Sequence, residues 1–220
     1  MALHRRATAE GVGTLLLVLA ASAGGIAAQK SYGVEPGLVR LTLALVLAGA
    51  LVSLIVAFGH VSGGHFNPLI TALQWLARER SGTCALAYVL AQLGGGLAGG
   101  AIGAWLWHAT SKPVAGLRWE GFASETVASA GLMLVVFGCM RGSRTETGPF
   151  AVGAWLLAAI LATPTTSYAN PAVVLGALVS AGPVSLGLSS ALPFILAQML
   201  GALGAFALVA VIFPKAPRRT

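Results

Sequence analysis

The 220-residue chain is poor in charge. It holds 13 Lys and Arg against 6 acidic residues, no aspartate at all, and charged residues make up only 9% of it. A soluble domain carries about 25% charged residues, so there are too few here to coat a sphere of this size. A disordered chain, a nucleic-acid module and an ordinary cytosolic enzyme are excluded at the outset. Cysteine is scarce as well. Cys84 and Cys139 build neither a metal spacing nor a disulfide framework, and both read as buried thiols. No nucleophile–base pair and no carboxylate pair is visible, so neither an enzymatic step nor a cofactor is expected.

What is present is apolar: 57% of the residues are hydrophobic and the mean hydropathy is +0.86. A helix needs about 20 apolar residues to cross a hydrocarbon core of about 30 Å. Runs near 8–28, 38–59, 84–108, 121–140, 148–163 and 190–213 read as six such spans. The runs are continuous and do not alternate with period two, which argues against a β-barrel. No separate soluble domain fits, so function must live inside the helix bundle. Two shorter segments, 67–77 and 170–180, cover only about 16 Å each as helices. They cannot cross. The start, Arg5-Arg6 and then an apolar run, mimics a signal peptide, but Glu10 interrupts it and its pattern returns later in the chain.

The formal net charge of +7 would suggest nucleic acid in a soluble protein. Here the basic residues lie between apolar runs and set topology instead. With the N-terminus inside, the inner loops hold nine cations: Arg5, Arg6, Arg78, Arg80, Arg141, Arg144, Lys215, Arg218 and Arg219. The outer loops hold four, Lys30, Arg40, Lys112 and Arg118. That asymmetry predicts N-in and C-in, which requires an even number of crossings.

The chain also repeats itself, with a boundary near 112/113. Glu10 heads the first span and Glu125 the fourth; Asn67-Pro68 follows the second and Asn170-Pro171-Ala172 the fifth. Tyr88-Val-Leu-Ala-Gln in the third span matches Phe194-Ile-Leu-Ala-Gln in the sixth. Three crossings per half turn the second copy upside down, and inverted repeats meet at a permeation site near the midplane. Asn is a favoured helix N-cap and Pro a favoured first helical residue. Each Asn-Pro therefore starts a half-helix whose electropositive end opposes cations and protons. Each Asn amide would offer a donor to a permeant oxygen. Glu10 and Glu125 are read as the only acids in the spans or at their ends, and intramembrane acids raise the rival of a proton-coupled transporter. Gly95, Gly99 and Gly103 mark close helix packing, Trp105, Trp107 and Trp119 an interfacial belt, and Met133, Met140 and Met199 core positions.

The run Gly59-His-Val-Ser-Gly-Gly-His-Phe-Asn67-Pro68, with Asn170-Pro171-Ala172, resembles the signature of the aquaporin, or major intrinsic protein, family. The resemblance spans nearly the whole chain. It implies an all-α membrane fold of six transmembrane helices plus two re-entrant half-helices, one channel domain over 1–220, a homotetramer among membrane lipids, and small neutral solutes as partners. It implies that Glu10 and Glu125 brace the re-entrant loops, and that carbonyls of Gly63, Gly64, His65, Thr166 and Ser167 form a pore ladder. Two departures bear on the solute. Leu69 stands where the family usually has Ala, and either alters packing or intrudes on the lumen, which keeps a closed-pore structural protein in view. Val173 stands where the family typically has a filter Arg. With Leu47 and Ala158 (or Leu157) at the other filter positions, the constriction is expected to be wide and apolar. That favours polyols such as glycerol, urea or metalloid hydroxides such as arsenous acid over strict water selectivity. The similarity to bacterial members implies the inner membrane of a bacterium.

Overall fold

The structure, a computed structural model, describes residues 1–33, 35–110 and 119–213. Lys112, Arg118, Lys215, Arg218 and Arg219, and the 112/113 repeat boundary, lie outside them. Eight α-helices follow one another: α1 (Leu3–Tyr32), α2 (Pro36–Ser62), α3 (Pro68–Leu76), α4 (Gly82–Leu106), α5 (Trp119–Arg141), α6 (Gly148–Ala162), α7 (Pro171–Leu178) and α8 (Leu188–Ile212). Local chemistry sets the boundaries. Proline opens α2, α3 and α7, and the Ser81 side chain caps α4 by accepting from the Cys84 amide. Glu120 falls in the first turn of α5, so a third acid joins Glu10 and Glu125 on these helices, contrary to the sequence reading.

Among the described residues, five helices are long and apolar enough to cross a membrane: α1, α2, α4, α5 and α8. The sixth expected span, α6, has only 15 residues, about 22 Å at 1.5 Å per residue. The chain then turns back toward the middle of the bundle through 163–170. α1 packs along α4, α5 along α8, and α2 crosses α6. The first contact is a glycine seam: a Cβ on Gly95 would collide with the Gly11 carbonyl oxygen, and one on Gly99 with that of Leu15. Backbones that close let every methylene along the seam touch a partner, which drives helix association in lipid.

Outward faces are apolar, with Leu45, Leu86, Leu90, Leu192 and Leu196 exposed. Trp105 and Trp119 are also exposed, and Lys30 lies over the ring of Trp107 at 5.1 Å. Of the three methionines expected in the core, only Met133 is there. Met199 is exposed on α8, and Met140 is exposed to the cavity, its sulfur 3.4 Å from Gln74 Nε2.

Candidate functional site

α3 and α7 meet head to head in the middle of the bundle. The Asn67 side-chain oxygen accepts from the Leu69 amide at 2.9 Å and that of Asn170 from the Ala172 amide at 2.9 Å, so each Asn caps its own half-helix. Each side-chain amide then crosses to the other loop. Asn67 Nδ2 donates to the Ala169 carbonyl at 2.9 Å, and Asn170 Nδ2 to the Phe66 carbonyl at 2.8 Å. An amide NH₂ has two hydrogens. One of each pair is committed to this cross-tie, and the other is left to the lumen that both residues line.

The loops before the two Asn residues adopt one backbone pattern. Gly63, Gly64 and Phe66 have φ of +107°, +63° and +47°; at the same offsets from Asn170, Thr166, Ser167 and Ala169 have +60°, +53° and +45°. Non-glycine residues persist in this region only when their surroundings over-determine them. The determinant is a buried glutamate in each half. Glu10 accepts from the His65 and Phe66 amides at 3.0 and 2.7 Å, from Ser62 Oγ at 2.6 Å and from Gln92 Nε2 at 2.8 Å. Glu125 accepts from the Tyr168 and Ala169 amides at 3.0 and 2.9 Å, from Thr165 Oγ1 at 2.6 Å and from Gln198 Nε2 at 2.7 Å. A buried carboxylate without such donors would be prohibitive. The bonds of the Ser62 and Thr165 hydroxyls to the glutamates were missed in the sequence, although each residue stands five before its Asn.

Around this junction lies a cavity of about 700 Å³. It runs from the bundle end that holds the N-terminus, where His60, Gln74, Cys139 and Arg144 line it, to the Asn pair and on to Val173. Gly63, Gly64, His65 and Ser167 are in its wall, as are Leu17 and Leu132, each seven residues after its half's glutamate. A second cavity of about 20 Å³ lies beyond, with Thr166 in its wall. Leu47, Ser167, Tyr168 and Val173 belong to both and so form the neck between them. Leu47 and Val173 are apolar. The Ser167 hydroxyl is buried without a hydrogen-bond partner among the described residues, a polar group at the neck beyond the carbonyl expected there.

Three expectations need correcting. Ala158 is exposed and does not line the cavity. On α6 the lining residues include Pro149, Val152 and Leu156, and Ala158 is rotated about 200° from Leu156 at 100° per residue. Leu157 does not line it either; it packs against the core. Of the two alternatives for Leu69, the structure agrees with packing and not with intrusion: it is in the core and absent from the lumen wall. Cys84 is buried, with Arg6 Nη2 3.1 Å from its sulfur, but Cys139 is only half-buried and faces the cavity.

The chain matches the family described as Major intrinsic protein over residues 1–169. It is 32% identical over 210 residues to "Aquaglyceroporin AqpS" of Rhizobium meliloti (strain 1021), covering 94% of this chain and 89% of that protein. It is 34% identical over 190 residues to "Aquaporin NIP6-1" of Arabidopsis thaliana, covering 82% of this chain and 61% of that one. Among solved structures, the aquaglyceroporin of Plasmodium falciparum superposes with a TM-score of 0.75 at 16% identity, covering 97% of this chain and 98% of that one. That last likeness speaks to the fold.

Proposed function

The chain belongs to the major intrinsic protein family, and from that premise we propose that it is a passive channel for small uncharged solutes, with a wide apolar neck. The observation that carries the reading is the crossed asparagine pair. Each half-helix aims its electropositive end and one free amide hydrogen at the same point of the lumen. A neutral hydroxyl or carbonyl oxygen accepts from both; a cation meets two opposed dipoles. With Leu47 and Val173 at the neck, size and an apolar face select the solute. The class is glycerol-like polyols, urea and metalloid hydroxides such as arsenous acid. The assembly is a homotetramer in a bacterial inner membrane with both termini cytoplasmic, so the 700 Å³ cavity is the cytoplasmic half of the pore.

The transporter reading is weakened because Glu10 and Glu125 each accept four hydrogen bonds from protein groups, leaving little capacity to carry a proton. The closed-pore reading is weakened because Leu69 packs in the core. The test is stopped-flow light scattering on proteoliposomes with water, glycerol, urea and arsenite, comparing wild type with Val173→Arg. Unsaturable flux of glycerol or arsenite, cut at least about fivefold by the added guanidinium, is expected from the loss of neck width and apolarity. Saturable flux driven by a proton gradient would assign a transporter instead, and no flux of any solute from folded protein would sink the channel.

A further inference from the structure

Fixed charge is distributed unevenly along the lumen. The four residues of the neck are uncharged in side chain at neutral pH, and none is Lys or Arg. The charged group bonded to loop 163–170 is the buried Glu125 carboxylate, and no Lys or Arg is hydrogen-bonded to that loop among the described residues. Glu125 by itself favours a cation in the adjacent lumen, and weakly screened charges act over several ångströms in such surroundings. The half-helix dipoles must work against it.

The loop at the cytoplasmic end is different. Arg80 Nε donates to Gln74 Oε1 at 2.9 Å, and Arg80 Nη2 reaches the Ser62 carbonyl at 3.4 Å. Gln74 and Gly63 both line the cavity. The point that a Cβ on Gly63 would occupy lies 2.9 Å from Arg80 Nη2 and 3.0 Å from His65 Nε2. That imidazole nitrogen is buried without a hydrogen-bond partner among the described residues. Arg80 therefore stands one residue behind the lumen wall, against its only glycine–glycine–histidine stretch. Holding the loop does not require it: the Ser62 carbonyl already accepts from the Tyr88 hydroxyl at 2.8 Å, and Glu10 fixes the next amides. What Arg80 adds is charge. Arg6, whose Nε donates to that same Tyr88 hydroxyl at 2.9 Å, adds a guanidinium on the same side, and Arg144 and Glu146 line the mouth of the cavity as a pair of opposite charges farther from the Asn junction.

We propose that Arg80 is the charge-selectivity residue of this channel, its guanidinium behind Gly63 and His65 repelling protons and metal cations from the cytoplasmic half of the lumen while neutral solutes pass. It supplies from the inner side the fixed positive charge that the neck lacks. The inference rests on the channel reading above.

The experiment reads proton conductance per reconstituted protomer, with an entrapped pH dye and an imposed potassium diffusion potential. Glycerol flux in the same vesicles reports whether the pore has formed. Arg80→Gln and Arg80→Met, two neutral variants of different shape, are compared with Arg80→Lys and with Arg80→Gln combined with Val173→Arg. The neutral variants are expected to raise proton conductance roughly tenfold. Arg80→Lys should stay at the wild-type value, and the double variant should return toward it because charge is restored at the neck. Wild-type conductance in both neutral variants would overturn the inference, and so would a rise that Val173→Arg leaves in place. Absence of glycerol flux in wild type would instead remove the channel reading on which it rests.

Discussion

At the scale of single residues the two halves are close copies with one telling difference. In the first half Thr71 Oγ1 lies 2.9 Å from His65 Nδ1 and accepts from Gln92 Nε2 at 2.9 Å. The same offset from Asn170 brings Val174, which has no hydroxyl, and the Gln198 side-chain oxygen is buried without a partner among the described residues. The second half thus already carries a polar atom left unpaired, which costs about 1–3 kcal/mol for a buried group. Thr71→Val should impose a similar penalty on the first half by stripping both His65 and Gln92 of a partner. We expect a loss of about 2 kcal/mol, visible as a lowered midpoint in a thermal-denaturation scan of the detergent-solubilised protein. An unchanged midpoint would mean that the hydroxyl bridges nothing that matters to stability.

At the scale of elements, the α1–α4 contact depends on missing side chains. Gly99 and Gly94 lie on the same helix, yet a Cβ on Gly99 meets the Leu15 backbone while one on Gly94 meets nothing within 4 Å. Backbone cannot move aside as a flexible side chain can. Gly99→Ala should therefore cost about 3 kcal/mol or more, read as loss of monodisperse protein on size exclusion. Gly94→Ala should be neutral or gain up to about 1 kcal/mol from helix propensity. Equal behaviour of the two variants would refute the seam. The glycines were visible as a four-residue spacing, but spacing alone does not say which neighbour they approach. The apolar stretch of α6 was visible too, its run of 148–163 nearly matching the helix, although its lining face was not. Ala158 was placed by counting back from Asn170, and counting along a loop does not determine rotation about a helix axis.

At the scale of the molecule, sidedness and the lumen can be tested together. Cys139 faces the large cavity near the N-terminal end of the bundle, whereas Cys84 is buried. The proposed topology, with both termini cytoplasmic, predicts that a small membrane-impermeant thiol reagent modifies Cys139 from the cytoplasmic side only. Modification should reduce solute flux by at least about half by filling lumen volume, and Cys139→Ser should abolish the effect. Labelling from the outer side would reverse the topology. The amino-acid sequence by itself determined that this chain lives in lipid, that its halves repeat, and that Asn67, Asn170, Glu10 and Glu125 stand at matching places in the two halves. Those conclusions rest on composition, on helical length against bilayer thickness, and on capping chemistry, all of which are local or additive along the chain. Only the tertiary structure decided that each Asn amide spends one hydrogen on the opposite loop, that Leu69 packs in the core, that Ala158 faces away, and that Arg80 stands behind Gly63. Those depend on how helices rotate and cross, and rotation is settled by contacts between residues far apart in the chain.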